Sequence, residues 1–163
     1  MVFGNPKSFA IEIYHEPAGP EWKGFGRMCL HVEGITIGDP LQDHCSLFHA
    51  VERIEKVATD LATLWDRRFA GHTGQEILAW LDAILYSGEI ELNEGEVDRF
   101  DFLTNTGEQF DRFKTFIYCT PDDVLCVPFR GPDDVVWTPT CTGIELRAVA
   151  AQLGQWFRTE TEA

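Results

Sequence analysis

Hydrophobic residues change their spacing along this chain, from every second residue to every third or fourth and back again, and that change restricts the folds open to it. Phe9-Ala10-Ile11-Glu12-Ile13-Tyr14 alternates, with Phe9, Ile11 and Ile13 on one face and Glu12 on the other, the pattern of a half-buried strand. Arg27 to Val32 alternates again, setting Met28, Leu30 and Val32 inward and Cys29 and His31 opposite. Glu33-Gly34 then turns the chain into Ile35-Thr36-Ile37, so the opening reads as antiparallel.

The helical spacing begins after Gly38-Asp39-Pro40. Ser46 stands as an N-cap before Leu47, Val51, Ile54, Ala58, Leu61 and Trp65, which predicts one long helix. Thr73-Gly74-Gln75-Glu76 has the form of a capping box, followed by Ile77, Leu78, Leu81, Ile84 and Leu85, with Gly88 as a stop. Thr142-Gly143-Ile144-Glu145 repeats the box ahead of Leu146, Val149, Ala150, Leu153, Trp156 and Phe157, and Thr159 to Ala163 should fray.

Between the second and third helices lie an acid-rich stretch, Glu89 to Asp111, and a short echo. Ile90, Leu92, Val97, Phe100 and Phe102 keep the acidic stretch structured, and it reads as edge strands and turns with a solvated acidic face. The echo is Pro121-Asp122-Asp123-Val124 and Pro132-Asp133-Asp134-Val135, where Pro followed by Asp is turn chemistry. It predicts a three-stranded meander with acidic turns at opposite ends of its middle strand. The sum is α+β: a single domain over residues 1–163, with an antiparallel sheet of about five to seven strands packed with three helices. A chain of this size buries roughly 70% of its unfolded surface, enough for one good core.

Charge bounds the function. The chain carries 27 Asp plus Glu against 13 Lys plus Arg, a net −14, with 44% apolar residues that rule out a disordered acidic tail. Such an excess repels itself in the folded state but steers encounter with a basic partner, and it opposes nucleic acid, whose phosphates draw on clustered Lys and Arg. No export signal opens the chain and no apolar run is long enough for a bilayer, so a cytosolic protein is expected. Cys29, Cys45, Cys119, Cys126 and Cys141 are odd in number and without a C-x-x-C, and read as reduced thiols.

Residue types that do chemistry are present without the spacing that chemistry requires. Asp122-Asp123 and Asp133-Asp134 sit about 20 Å apart across an extended strand, too far to share a cation or an acid/base step. His44, Cys45 and His49 match no zinc pattern and no nucleophile fingerprint. No catalytic, cofactor-binding or metal residue is therefore assigned. Partner-binding candidates are Glu89, Glu91, Glu94, Glu96, Asp98 and Asp101, the turn residues Asp122, Asp123, Asp133 and Asp134, and Trp22. Trp22 stands in a Pro/Gly-rich loop, where it either caps the sheet or anchors a partner. Trp65, Trp80 and Trp156 lie on or next to helix stripes and read as core.

Met1-Val2-Phe3-Gly4-Asn5-Pro6 with Phe9-Ala10-Ile11, followed by Trp22 and a strand turning at Gly34, resembles an immunity-protein family of bacterial polymorphic toxin systems, the one numbered forty-two. Length, acidity and a closing helix ending in Trp156-Phe157 are similar too; the distinctive part reaches to about Pro40. The resemblance implies a cytosolic protein, without catalytic residues or cofactor, that binds and neutralises a cognate toxin domain. Gly4-Asn5-Pro6 is expected to set a turn before the first strand. The alternatives are an acidic secretion chaperone, acting as a dimer on an extended segment of an exported effector, and an enzyme centred on Cys45 and His49. Monomer and homodimer both remain open.

Overall fold

A computed structural model describes residues 1–16, 23–43, 45–88 and 94–162. The chain opens with β1 (Val2–Asn5), antiparallel to β2 (Phe9–His15), which pairs in turn with β3 (Phe25–Val32) from Phe9↔Val32 to His15↔Gly26. β4 (Ile35–Ile37) and β5 (Cys45–Ser46) share the other edge of β3, completing a five-stranded sheet. Glu33 and Gly34 both have positive φ, 50° and 78°, as a two-residue hairpin turn requires.

The expected turn before Phe9 is present, the Ser8 N–H donating to the Asn5 carbonyl at 2.9 Å, but Gly4 and Asn5 also belong to β1, a strand the sequence reading lacked. Gly4 lies within the strand at φ 96°, and a Cβ there would stand 2.4 Å from the Phe9 carbonyl oxygen and 2.6 Å from Val149. Glycine is what lets the closing helix lie this close to the sheet edge.

α1 (Phe48–Thr59) buries Ala50, Val51, Ile54, Val57 and Ala58. The long helix expected from Ser46 to Trp65 is corrected at both ends. Leu47 is the N-cap, without a side-chain capping bond, and after Asp60 the chain starts a separate one-turn helix, Leu61–Leu64. Three residues per turn keeps Leu61 and Leu64 in line, which is why the apolar spacing ran on. Trp65 then turns extended and is 40% exposed, off the core.

The two capping boxes form as expected. At the start of α2 (Gly74–Leu85), Thr73 Oγ1 accepts from the Glu76 N–H and Glu76 Oε2 accepts from the Thr73 N–H at 2.7 Å. At the start of α3 (Gly143–Glu162), Glu145 Oε2 accepts from the Thr142 N–H at 2.9 Å, and Thr142 Oγ1 accepts from the Glu145 N–H at 3.2 Å. α3 remains helical through Glu162 instead of fraying at Thr159, held against α1 by the Arg158–Glu55 pair at 2.8 Å. It lies against α1, β1 and β2, covering Phe9, Ile11 and Ile13.

The meander is present with every strand broken midway: β6 (Lys114–Thr115) and β7 (Tyr118–Cys119), β8 (Val124–Cys126) and β9 (Phe129–Arg130), β10 (Val136–Trp137) and β11 (Thr140–Thr142). The halves form two three-stranded ribbons, β10-β9-β6 and β11-β8-β7. Pro128 and Pro139 stand at the breaks. Lacking N–H groups, they contribute only carbonyls, which accept from Phe116 and Val127 at 3.0 and 2.8 Å. The class is α+β with antiparallel strand pairs, as expected, the strands being shared among more than one sheet. A cluster of fully buried Phe100, Phe102, Phe110 and Phe116 underlies the second half, each ring contributing about 2–3 kcal/mol by burial.

Candidate functional site

The acidic stretch is held in place by one arginine from α1 and one of its own. Residues Glu94–Glu96 and Asp98–Phe100 are one-turn helices, which corrects the expected edge strands over those residues; among the described residues of the stretch, strand pairing is confined to the bridge Asp101↔Phe116. Val97 and Phe100 are fully buried and anchor the segment. Arg53 of α1 donates from Nε to the Asp101 carbonyl at 2.7 Å and from Nη2 to both the Asp98 and Asp101 carbonyls. Arg99 donates to the Thr63 carbonyl at 2.8 Å and to Asp66 at 2.8 Å, with its guanidinium 4.3 Å above the Phe100 ring.

This scaffold sorts the acids that composition could not. Glu96 and Asp98 face solvent. Asp101 does not: burial pushes its carboxyl above the usual carboxylate range, against the pull of the Tyr86 hydroxyl and Arg53, so it supports the segment from inside. Glu89, Glu91 and Trp22 lie outside the described residues, as does the side chain of Glu94. A groove of about 380 Å³ runs between α1 and this segment, lined by His49, Glu52, Lys56 and Asp98.

Both Asp turns are built alike. The Asp123 N–H donates to the Thr120 carbonyl and the Asp134 N–H to the Gly131 carbonyl, with Asp123 and Asp134 left-handed at φ 59° and 61°. Asp tolerates that conformation better than most residues, and all four turn carboxylates are exposed. Their surroundings differ. Asp134 sits 3.5 Å from Arg130, which with Lys114 also holds Asp82. Asp122 and Asp123 form no ion pair among the described residues.

The Leu61–Asp66 segment brings part of the acidic set together. It touches Asp98–Phe100 on one side and β7 on the other, where Trp65 bridges to Cys119. Glu96, Asp98, Asp122 and Asp123 thus flank one stretch of chain, while Asp133 and Asp134 stand at the opposite end of the meander. Trp65 in the middle escaped the sequence reading because its spacing from Leu61 looked helical; the signal available was Asp60, which ends α1.

The model of the family Immunity protein 42 matches residues 1–125, well past the opening residues that carry the resemblance and into β8. The chain belongs to that family. This immunity protein binds a cognate toxin domain of a bacterial polymorphic toxin system and neutralises it. Its fold is similar to that of a crystallised CdiI from Burkholderia dolosa AUO158, with a TM-score of 0.69 over 96% of this chain and 99% of that one, at 13% identity. No curated protein sequence matches the chain.

An immunity protein acts as an inhibitor, and its thiols are set for packing. Cys45 donates to Gln109 Oε1 at 2.9 Å, and burial raises its thiol above the ordinary value. His49 is exposed and packs edge-on to Phe48 at 5.7 Å, and His44 lies outside the described residues. Cys29 and Cys141 are pushed up to about 12 by burial, and Cys119 and Cys126 are raised for the same reason. Among the described residues no group of His, Cys, Asp and Glu could hold a metal ion, and no helix is long and apolar enough to cross a membrane.

Proposed function

We propose that this immunity protein meets a basic cognate toxin domain through the acidic face flanking Leu61–Asp66, with Glu96, Asp98, Asp122 and Asp123 as the first contacts and Glu89, Glu91 and Glu94 extending the same run. One observation carries the reading. Among the described residues, Arg27, Arg68, Arg99, Lys114, Arg130 and Arg158 pair with carboxylates inside the protein, Arg68 reaching the exposed Glu96 at 3.8 Å as well as Asp66, while the carboxylates of Asp98, Asp122 and Asp123 have no cationic partner. Unpaired carboxylates on one face of a chain with net −14 direct its field outward.

The same charge disfavours nucleic acid as a ligand, so the contact is between proteins. Five free thiols suit a reducing compartment, and inhibition in the cytoplasm of the producing cell fits them. The test is co-expression with the C-terminal domain encoded by the neighbouring toxin gene. Wild type should restore growth, and the variant Glu96→Gln/Asp98→Asn/Asp122→Asn/Asp123→Asn should do so poorly at equal abundance. Full protection by that variant would reject the acidic face, and no protection by wild type would reject the toxin partner.

A further inference from the structure

A hollow beside Trp65 has the form of a receptor for a side chain. Its volume is about 430 Å³; Leu61, Leu125 and Cys119 form its floor, and Ala62, Ile144 and Asp123 stand in its walls. The floor residues are at most 9% exposed, so the hollow opens directly onto the hydrophobic core. Ile144 is 80% exposed.

The fold does not account for Ile144. It is a β-branched residue in the first turn of a helix, where its side chain gains neither burial nor helix propensity, and the capping box beside it needs only Thr142 and Glu145. Trp65 adds a second uncovered apolar group across the Cys119 bridge; its indole has no hydrogen-bond or ring partner among the described residues. The backbone carrying Ile144 is held rigidly. The box fixes the backbone at Ile144, and Gly143 lies so close to Leu61 that a Cβ would stand 2.9 Å from Leu61 Cδ1, which locks the helix start against the one-turn helix carrying Ala62. A rigid hollow with an apolar floor, a polar rim and an aromatic at its side loses little entropy when it is filled.

Charge around the mouth selects the occupant. Asp123 in the wall, Asp122 beside it and Asp60 at the end of α1 are exposed carboxylates outside any ion pair among the described residues. Arg147 also lines the hollow, on the helix side away from Asp123 in the chain, and its Nε is turned to the Ala58 carbonyl at 3.4 Å, so the acids at the Asp122-Asp123 turn are the groups left for a cation. From this we infer that the hollow seats an apolar side chain of the toxin domain next to a Lys or Arg that meets Asp123, making Ile144 and Trp65 the hydrophobic centre of the interface and the acids its rim. The inference rests on the toxin-binding reading and adds to it the place where affinity, as distinct from encounter rate, arises.

The test measures binding kinetics between the purified immunity protein and a catalytically disabled toxin domain from the neighbouring gene. Ile144→Asp and Ala62→Arg change exposed positions, and thermal melts establish that each variant is folded. Each should weaken binding about tenfold or more, chiefly by faster dissociation. Phe48→Asp, exposed on α1 away from the hollow, should change it by less than about twofold. Wild-type affinity in both hollow variants would overturn the inference and leave toxin binding standing. A wild-type dimer disrupted by Ile144→Asp at unchanged toxin affinity would overturn it in favour of a second copy of the chain. Absence of wild-type binding would remove the inference and the reading beneath it together.

Discussion

Replacing Arg53 with Met should loosen the acidic face without disturbing the five-stranded sheet. The guanidinium donates to the Asp101 carbonyl from two nitrogens and to the Asp98 carbonyl from one. Water can replace it at the exposed Asp98 carbonyl, so the Asp101 carbonyl is the group left short of a donor. A charged hydrogen bond lost at a part-buried acceptor costs about 2–3 kcal/mol, and for a chain of this length each kcal/mol moves the melting temperature by about 2–4 °C. Arg53→Met should therefore melt roughly 5–10 °C below wild type at pH 7.

The deficit also has a sign with pH. Arg53 opposes the burial that raises the Asp101 carboxyl, so its removal costs most where that carboxyl is ionised and least where it is protonated; the gap between variant and wild type should narrow as pH falls toward about 4. Hydrogen exchange locates the effect. The amides of Phe102 and Ile117, which donate to Thr115 and Phe100, should exchange at least about tenfold faster, while those of β2 and β3 keep their protection. A melting temperature within about 2 °C of wild type, or a loss of protection spread evenly over the five-stranded sheet and the two ribbons, would refute the reasoning.

Thr142→Ala removes the acceptor for the Glu145 amide and should lower stability by about 1 kcal/mol in urea titration, with Thr142→Ser close to wild type. Thiol titration at pH 8 should find the native protein nearly inert and the urea-unfolded chain reactive at all five cysteines. Because Cys29 and Cys141 hold their protons up to about 12 in the fold and to about 8.5 once unfolded, stability should fall as pH rises between those values; a flat profile from about pH 8.5 to 11 would contradict their burial.

Local rules made much of this fold readable and left the site half read. β2, β3 and the Glu33-Gly34 turn follow from alternation, both capping boxes from four residues each, and the meander from its Asp turns, because the interactions that form them lie within a few positions in the chain. β1 was missed since Gly4 reads as a turn residue in the sequence, and its place in a strand depends on close approach both to the Phe9 carbonyl and to Val149 in the last helix, 145 positions on by residue number. The end of α1 was missed because Leu61 and Leu64 continue the apolar spacing in a tighter helix. The acidity was plain in the composition, but that Asp101 turns inward depends on Arg53 and Tyr86, both distant from it in the chain. Asp101 was therefore grouped with the surface acids, and Trp65 with the core.

Association kinetics as a function of ionic strength test the acidic face most directly. With the toxin domain from the neighbouring gene, raising salt from about 0.05 to 0.5 M should slow association of the immunity protein at least about tenfold, leave dissociation within about threefold, and flatten markedly for the quadruple variant lacking the charges at Glu96, Asp98, Asp122 and Asp123. An association rate indifferent to salt, or a salt dependence unchanged in that variant, would contradict the account.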